Sequence, residues 1–198
     1  MSIENSTNVT FSRLPGEFDV VALKRELSFL SASGWVEHVN KRDYQGGWDV
    51  LPLRCPRQFF DKHVILQSFA IEADSDWANL PVVQQCPEIS KVLDYFQCPL
   101  KAVRLMRLNP GAYIQPHRDK GLSMQYGEAR LHLPICGTEE IEFLVDGKAV
   151  VMQAGQLWYL NADMEHSVRN HGTKPRINLV IDCQVNHWFK SQFFLPKN

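Results

Sequence analysis

The spacing of hydrophobic residues changes near residue 100. Before that point it is helical where it is regular at all. Val20, Leu23, Leu27 and Leu30 recur at helical intervals after Pro15-Gly16, which predicts an amphipathic helix near 18–31. A second helix is expected near 87–97, with Ile89, Val92, Leu93 and Phe96 on one face, Pro87 near its start and Pro99 just past its end. Between them, Tyr44-Gln45-Gly46-Gly47-Trp48 reads as a turn or flexible loop. From Lys101 onward short β-type runs follow one another, over 101–108, 112–117, 128–135, 141–145, 148–153, 156–160, 165–170 and 176–183. Asn109-Pro110-Gly111, Cys136-Gly137, Asp146-Gly147 and His171-Gly172 separate several of them, and Asp146-Gly147 is a strong hairpin signal. Eight short strands in about 80 residues predict a mainly β fold, a jelly roll or small barrel, with the N-terminal helices bracing the outside of one sheet. The expected organisation is a single domain over 1–198: a helical and irregular region at 1–100, the jelly-roll core at 101–183, and a C-terminal segment at 184–198. In that last segment Trp188, Phe189, Phe193 and Phe194 pin the chain against the fold.

Alternation within these runs sorts residues onto faces. Arg130, His132 and Pro134 share one face, opposite Leu131 and Leu133. Arg176, Asn178, Val180 and Asp182 share another, opposite Ile177, Leu179 and Ile181, while Val168 and Asn170 lie on the side of His166. A polar face on an arbitrary sheet is usually solvated. Here the polar faces hold the residue types of a metal site, and inside a barrel mouth they would converge. Residues i and i+2 of a strand point the same way, so His117 and Asp119 can face one metal while Arg118 faces away. Two histidines and one carboxylate with vacant positions is the arrangement of non-haem Fe(II) oxygenases. Arg176, ten residues past His166, is placed to hold an anionic cosubstrate beside the metal.

Composition narrows the alternatives. The chain has 198 residues, 44% hydrophobic and 11% aromatic, enough for one sizeable core. With 21 basic and 22 acidic residues its formal charge is −1, so no electrostatic pull toward nucleic acid or a membrane surface is expected. Cys55, Cys86, Cys98, Cys136 and Cys183 are scattered and form no C-x-x-C pair, which argues against a disulfide framework or a thiolate zinc site and points to a reducing cytoplasm. The N-terminal residues lack the pattern of a signal peptide, and no apolar run reaches membrane-span length. Asn5-Ser6-Thr7 and Asn8-Val9-Thr10 match the glycosylation pattern and are taken as chance.

Several segments, in order, resemble the aspartyl/asparaginyl β-hydroxylase family, which includes bacterial proline hydroxylases. They are Asn109-Pro110-Gly111, Pro116-His117-Arg118-Asp119, Arg130-Leu131-His132-Leu133-Pro134-Ile135, Gly155-Gln156-Leu157-Trp158, Glu165-His166-Ser167-Val168-Arg169-Asn170 and Arg176-Ile177-Asn178-Leu179-Val180. The resemblance implies a double-stranded β-helix, cupin-like in form, and an Fe(II)- and 2-oxoglutarate-dependent dioxygenase. His117, Asp119 and His166 would bind iron, and Arg176 would pair with the distal carboxylate of 2-oxoglutarate through its guanidinium fork. Arg130 and His132 look like the family's second basic pair, helping to fix the cosubstrate's other end. Three open iron positions would take the 2-oxo acid and O2. The implied reaction hydroxylates an unactivated C–H bond with release of succinate and CO2, with ascorbate as a stimulant. Animal peptide hydroxylases of the family have no carboxylate two residues after the first histidine. Asp119 therefore brings this chain closer to the bacterial small-molecule members.

The expected substrate is an amino acid, an amino-acid derivative, or an Asp or Asn side chain in a peptide. Arg54 and Trp48 are the candidate substrate residues, with Tyr44 nearby. Arg104 and Arg107 alternate in direction, so at most one points inward. His38, His63, His171 and His187 show no ligand spacing and read as surface or loop residues, and Trp158 as packing. The alternative is a cupin-like metal-dependent binding protein or isomerase that does not use O2, with zinc or manganese in the same site. It leaves Arg176 unexplained. The oligomeric state is open.

Overall fold

Strands in fact begin well before residue 100. The computed structural model describes residues 9–30, 34–69 and 75–194. The glycosylation pattern at Asn5 and Asn8 begins outside them, as does the last residue of the first expected helix. In chain order the elements are β1 (Phe11–Glu17), α1 (Val20–Leu30), β2 (Val36–Glu37), β3 (Tyr44–Gln45), β4 (Trp48–Pro56), α2 (Val64–Phe69), β5 (Trp77–Asn79) and α3 (Pro87–Asp94). Then come β6 (Leu100–Leu108), β7 (Tyr113–His117), β8 (Glu128–Cys136), β9 (Ile141–Val145), β10 (Lys148–Ala149), β11 (Gln156–Leu160), β12 (His166–Asn170), β13 (Arg176–Gln184) and α4 (His187–Ser191).

Two antiparallel sheets result. The larger runs β1-β11-β8-β13-β6-β4-β2, with β5 on the flank of β4, and the smaller runs β10-β9-β12-β7-β3. Their non-sequential order is that of a jelly roll. All eight runs expected after Lys101 are strands, although the run at 148–153 is a strand only at Lys148–Ala149. The Asp146-Gly147 turn has φ of 52° and 70°, both positive as the tight hairpin between β9 and β10 requires. The first hundred residues are not only helical and irregular. β4 pairs with β6 along most of its length, and β1 pairs with β11, so the N-terminal region supplies strands of the large sheet.

The apolar residues form two layers. Leu131 and Leu133 of β8, Leu179 and Ile181 of β13, and Val103 and Leu105 of β6 are fully buried against Leu23, Leu27, Ile89 and Val92. This is the helix-covered outer face of the large sheet, as the 3.6-residue spacing of α1 and α3 requires. Phe189 of α4 joins the same layer, with Trp188 and Phe193 packed against it, whereas Phe194, also expected to pin the chain, is exposed. Between the sheets lies a second cluster, including Trp48, Leu108, Ile114, Phe143 and Val168. The polar faces of β8 and β13 point into this inter-sheet space instead of solvent. Asn178 is fully buried, and Arg104, Arg176 and Asp182 are almost so. Among the described residues, no helix is long and apolar enough to cross a membrane.

Candidate active site

The sheets leave a cavity of about 860 Å³ between them, and its wall holds His117, Asp119, His166, Arg130, His132, Arg176 and Trp48. Register places the two histidines together: His166 of β12 lies directly opposite His117 of β7. Their rings are 4.2 Å apart, centroid to centroid. Asp119 reaches the same point by another route. β7 ends at His117, so Asp119 is not the in-register strand residue that simple alternation implied. It sits just past the strand, where its N–H donates to Ala162 O (2.8 Å) and its C=O accepts from Leu122 N–H (3.1 Å). One ligand atom from each of His117, Asp119 and His166 lies within 4.8 Å of the others.

The donor set suits a divalent metal. His117 Nδ1 is 2.8 Å from Gln115 O and His166 Nδ1 is 3.0 Å from Met164 O, contacts that place the proton on Nδ1 and leave both Nε2 lone pairs available. Burial, reinforced by His117, pushes His166 down to about 4, so it is the neutral ligand form near pH 7. For Asp119, burial alone would favour the neutral acid. Arg130, with His166 and His117, outweighs it and holds the carboxyl below its ordinary range.

Arg130 is the centre of a buried ion network. Its Nε donates to Asp182 Oδ1 (2.7 Å) and its NH2 to Asp182 Oδ2 (2.9 Å), while NH1 donates to Asp119. The β8–β13 register sets this pair, with Arg130 opposite Asp182. Arg104 donates to Asp182 from the other side and to Ser68 O (2.7 Å). Arg130, expected to help fix the cosubstrate, lines the cavity with all three of its nitrogens donating to the carboxylates of Asp182 and Asp119.

Arg176 differs from Arg104 and Arg130, the other arginines buried in the cavity wall, in having no carboxylate partner among the described residues. It is 6% exposed, its guanidinium carbon lies 5.4 Å from the centroid of the Phe143 ring, and burial pushes it down to about 10. Asn178 steadies it. With the amide turned so that oxygen faces donors, Asn178 Oδ1 accepts from Arg176 NH2 (2.5 Å) and from His132 Nδ1 (3.3 Å). His132 is held neutral by burial and by the Arg176 and Arg130 charges. These groups leave a buried cationic fork facing the cavity, suited to a carboxylate.

Of the candidate substrate residues, Trp48 lines the cavity and Arg54 does not. Arg54 Nε donates to Leu100 O (3.2 Å), NH1 to Asn79 Oδ1 (2.8 Å) and NH2 to Trp77 O (2.7 Å), so its guanidinium ties β4 to β5 and β6. The structure therefore does not bring Arg54 together with the other candidate site residues. Arg104 points inward, whereas Arg107 pairs outside the cavity with Asp49 and lies 4.4 Å from the Trp35 ring centroid. Sequence reasoning gave no role to His38, Phe69, Lys101, Glu128 or Asp182, all of which line the cavity. The i+2 step from Arg176 through Asn178 and Val180 placed Asp182 on the polar face without showing its partner. His38 carried no comparable signal.

Comparison with known proteins agrees with this architecture. L-proline cis-4-hydroxylase of Rhizobium meliloti (strain 1021) is 24% identical over 172 residues, covering 85% of this chain. The chain spans only 59% of that relative's length. Among solved structures, an oxidoreductase of the 2OG-Fe(II) oxygenase family from Burkholderia pseudomallei aligns with a TM-score of 0.56 at 16% identity, over 93% of this chain and 91% of that one. The non-heme α-ketoglutarate-dependent epimerase SnoN from nogalamycin biosynthesis aligns with a TM-score of 0.54 at 15% identity, over 92% and 82%. At these identities the structural likeness establishes the fold. The aspartyl/asparaginyl β-hydroxylase family profile matches residues 17–185, nearly the whole chain, and the chain belongs to that family.

Proposed function

We propose that the protein is an Fe(II)- and 2-oxoglutarate-dependent hydroxylase acting on a C–H bond of an amino acid or amino-acid derivative. One observation carries the reading. Three ligand atoms of a 2-His-1-carboxylate set converge on the wall of a cavity that also holds a buried arginine without a carboxylate partner. The set alone would suit several metals. The lone guanidinium adds a requirement for an anionic group, which 2-oxoglutarate meets. The proline hydroxylase relative supports a small amino-acid substrate.

Each residue then has a defined task. His117 and His166 present Nε2 to the metal, their rings held by the contacts at Nδ1. Asp119 supplies the carboxylate and Arg130 fixes its orientation. Arg176 receives the distal carboxylate of the cosubstrate, aimed by Asn178 and backed by Phe143. The apolar walls, among them Leu108, Ile114 and Val168, exclude water from the reacting region. Bound iron with 2-oxoglutarate and O2 would supply the oxidising chemistry, with succinate and CO2 as the expected by-products.

Thermal unfolding tests the reading without a known substrate. Fe(II) or Mn(II) together with 2-oxoglutarate at about 100 times its dissociation constant stabilises by roughly 2.7 kcal/mol. For a chain of this size that is a rise in Tm of roughly 5–10 °C. N-oxalylglycine should act likewise, and neither compound should act without metal. Stabilisation by metal with no response to either 2-oxo compound would favour the metal-binding alternative that does not use O2.

A further inference from the structure

His38 lies in a loop, yet aromatic neighbours and a hydrogen bond at Nδ1 hold its imidazole. It stacks on Trp48 at 3.6 Å between centroids with the planes 9° apart, and Phe69 meets it edge-on at 4.6 Å. Its backbone N–H donates to Trp48 O (2.8 Å), and its carbonyl accepts from the Tyr44 hydroxyl (3.1 Å). The ring's Nδ1 accepts from Asn40 N–H (3.3 Å), which puts the proton on Nε2. Burial, followed by the charges of Arg104 and Arg130, pushes His38 down to about 3, so the imidazole is neutral throughout the physiological range. The charged and titratable groups that act on it, Arg104, Arg130, Asp119 and His117, all belong to the cavity wall.

Three of the cationic side chains in the same wall face carboxylates. Arg104 and Arg130 bind Asp182 and Asp119, and Lys101 Nζ is 2.6 Å from Glu128 Oε1. His38 Nε2 has no partner among the described residues, although the ring borders the cavity. An uncommitted donor held by its neighbours in the wall of that cavity is suited to orient an acceptor oxygen at little entropic cost.

We infer that His38 is a substrate-binding residue, a neutral imidazole held against Trp48 and Phe69 whose Nε2–H donates to a carboxylate or carbonyl oxygen of the substrate. The inference rests on the proposed hydroxylase reading and names what recognises the substrate within that site. It also gives Trp48 a task, as the support for the ring.

The test uses the full chain loaded with Fe(II) and 2-oxoglutarate, with L-proline, other free L-amino acids and their amides as probes. The probe that the wild type turns over fastest is carried into His38→Phe and His38→Gln. Phenylalanine keeps the stack and removes the donor. KM for the probe should rise roughly tenfold, the worth of one such hydrogen bond, while KM for 2-oxoglutarate and substrate-independent succinate release stay as in the wild type. Glutamine should recover most of the loss. An unchanged KM in His38→Phe, or a glutamine variant as impaired as the phenylalanine one, overturns the inference. A loss seen with acids alone assigns the oxygen to a carboxylate, and a loss with acids and amides assigns it to a carbonyl. If no probe supports turnover, the hydroxylase reading has failed on these substrates. The inference is then decided by histidine nitrogen NMR of the Zn(II)-loaded protein, where a His38 proton on Nε2 supports it and one on Nδ1 overturns it.

Discussion

Replacing Arg176 with methionine should make the protein more stable and less able to hold 2-oxoglutarate. Burial disfavours the charged Arg176 guanidinium and pushes it down to about 10, with no carboxylate to offset the loss of hydration. Keeping the charged form buried there costs roughly 3 kcal/mol of stability. The variant also loses the contact to Asn178, worth about 1 kcal/mol, so the net gain is about 2 kcal/mol. For a chain of this length the ligand-free Tm should rise by roughly 4–8 °C. The sign follows from linkage. A base whose folded pKa is depressed subtracts stability wherever it is protonated, so the penalty is present at neutral pH. It fades only as pH rises through about 10 toward the unfolded value. Differential scanning fluorimetry of metal-loaded wild type and Arg176→Met, each with and without 2-oxoglutarate, reads both effects together. The variant should start higher and gain nothing from the cosubstrate. A variant that melts below the wild type without ligand, or that keeps the full 2-oxoglutarate shift, would refute the reasoning.

The remaining predictions concern the supports of the site. Asp182→Asn leaves Arg104 and Arg130 buried around a neutral amide and should cost about 3–5 kcal/mol, seen as a fall in Tm of roughly 6–20 °C. Asp182 and Asp119 are both held below the ordinary carboxylate range. In Asp182 burial opposes ionisation but is outweighed by Arg130 and Arg104, and in Asp119 burial is outweighed by Arg130 with the two histidines. The stability they contribute is fully present above the unfolded value of about 3.9 and is lost as pH falls through their folded values, so stability should drop steeply below about pH 4 and less steeply in Asp182→Asn. Arg54→Ala removes three hydrogen bonds between β4 and its neighbours and should lower Tm by a few degrees while leaving KM for any substrate unchanged.

What was legible in the sequence follows from where the determining interactions lie. The strands after Lys101 alternate because one face packs under helices and the other faces the cavity, so period and polarity agree. β4 has no such signal. Seven of its nine residues are buried, it contains Pro52, and apolar residues run along both faces. β1 contains Pro15-Gly16, which marked only the approach to the first helix. It pairs only with β11, at the sheet edge, where proline is tolerated, and its register shifts between Arg13 and Glu17. The proposed metal ligands were legible because their residue types are rare together. The partner of Arg130 was not, since Asp182 meets it only through the β8–β13 register. His38 was the least legible of all. Its orientation depends on Trp48 and Phe69, from two other elements, and no local spacing reports that.

Succinate formation tests the central claim most directly. Wild type and His166→Ala are each supplied with Fe(II), 2-oxoglutarate, O2 and a panel of free L-amino acids including L-proline. The wild type should release succinate with at least one of them, and His166→Ala should fall to background while remaining folded. Succinate release by His166→Ala at the wild-type rate would contradict the assignment of His117, Asp119 and His166 as the metal site.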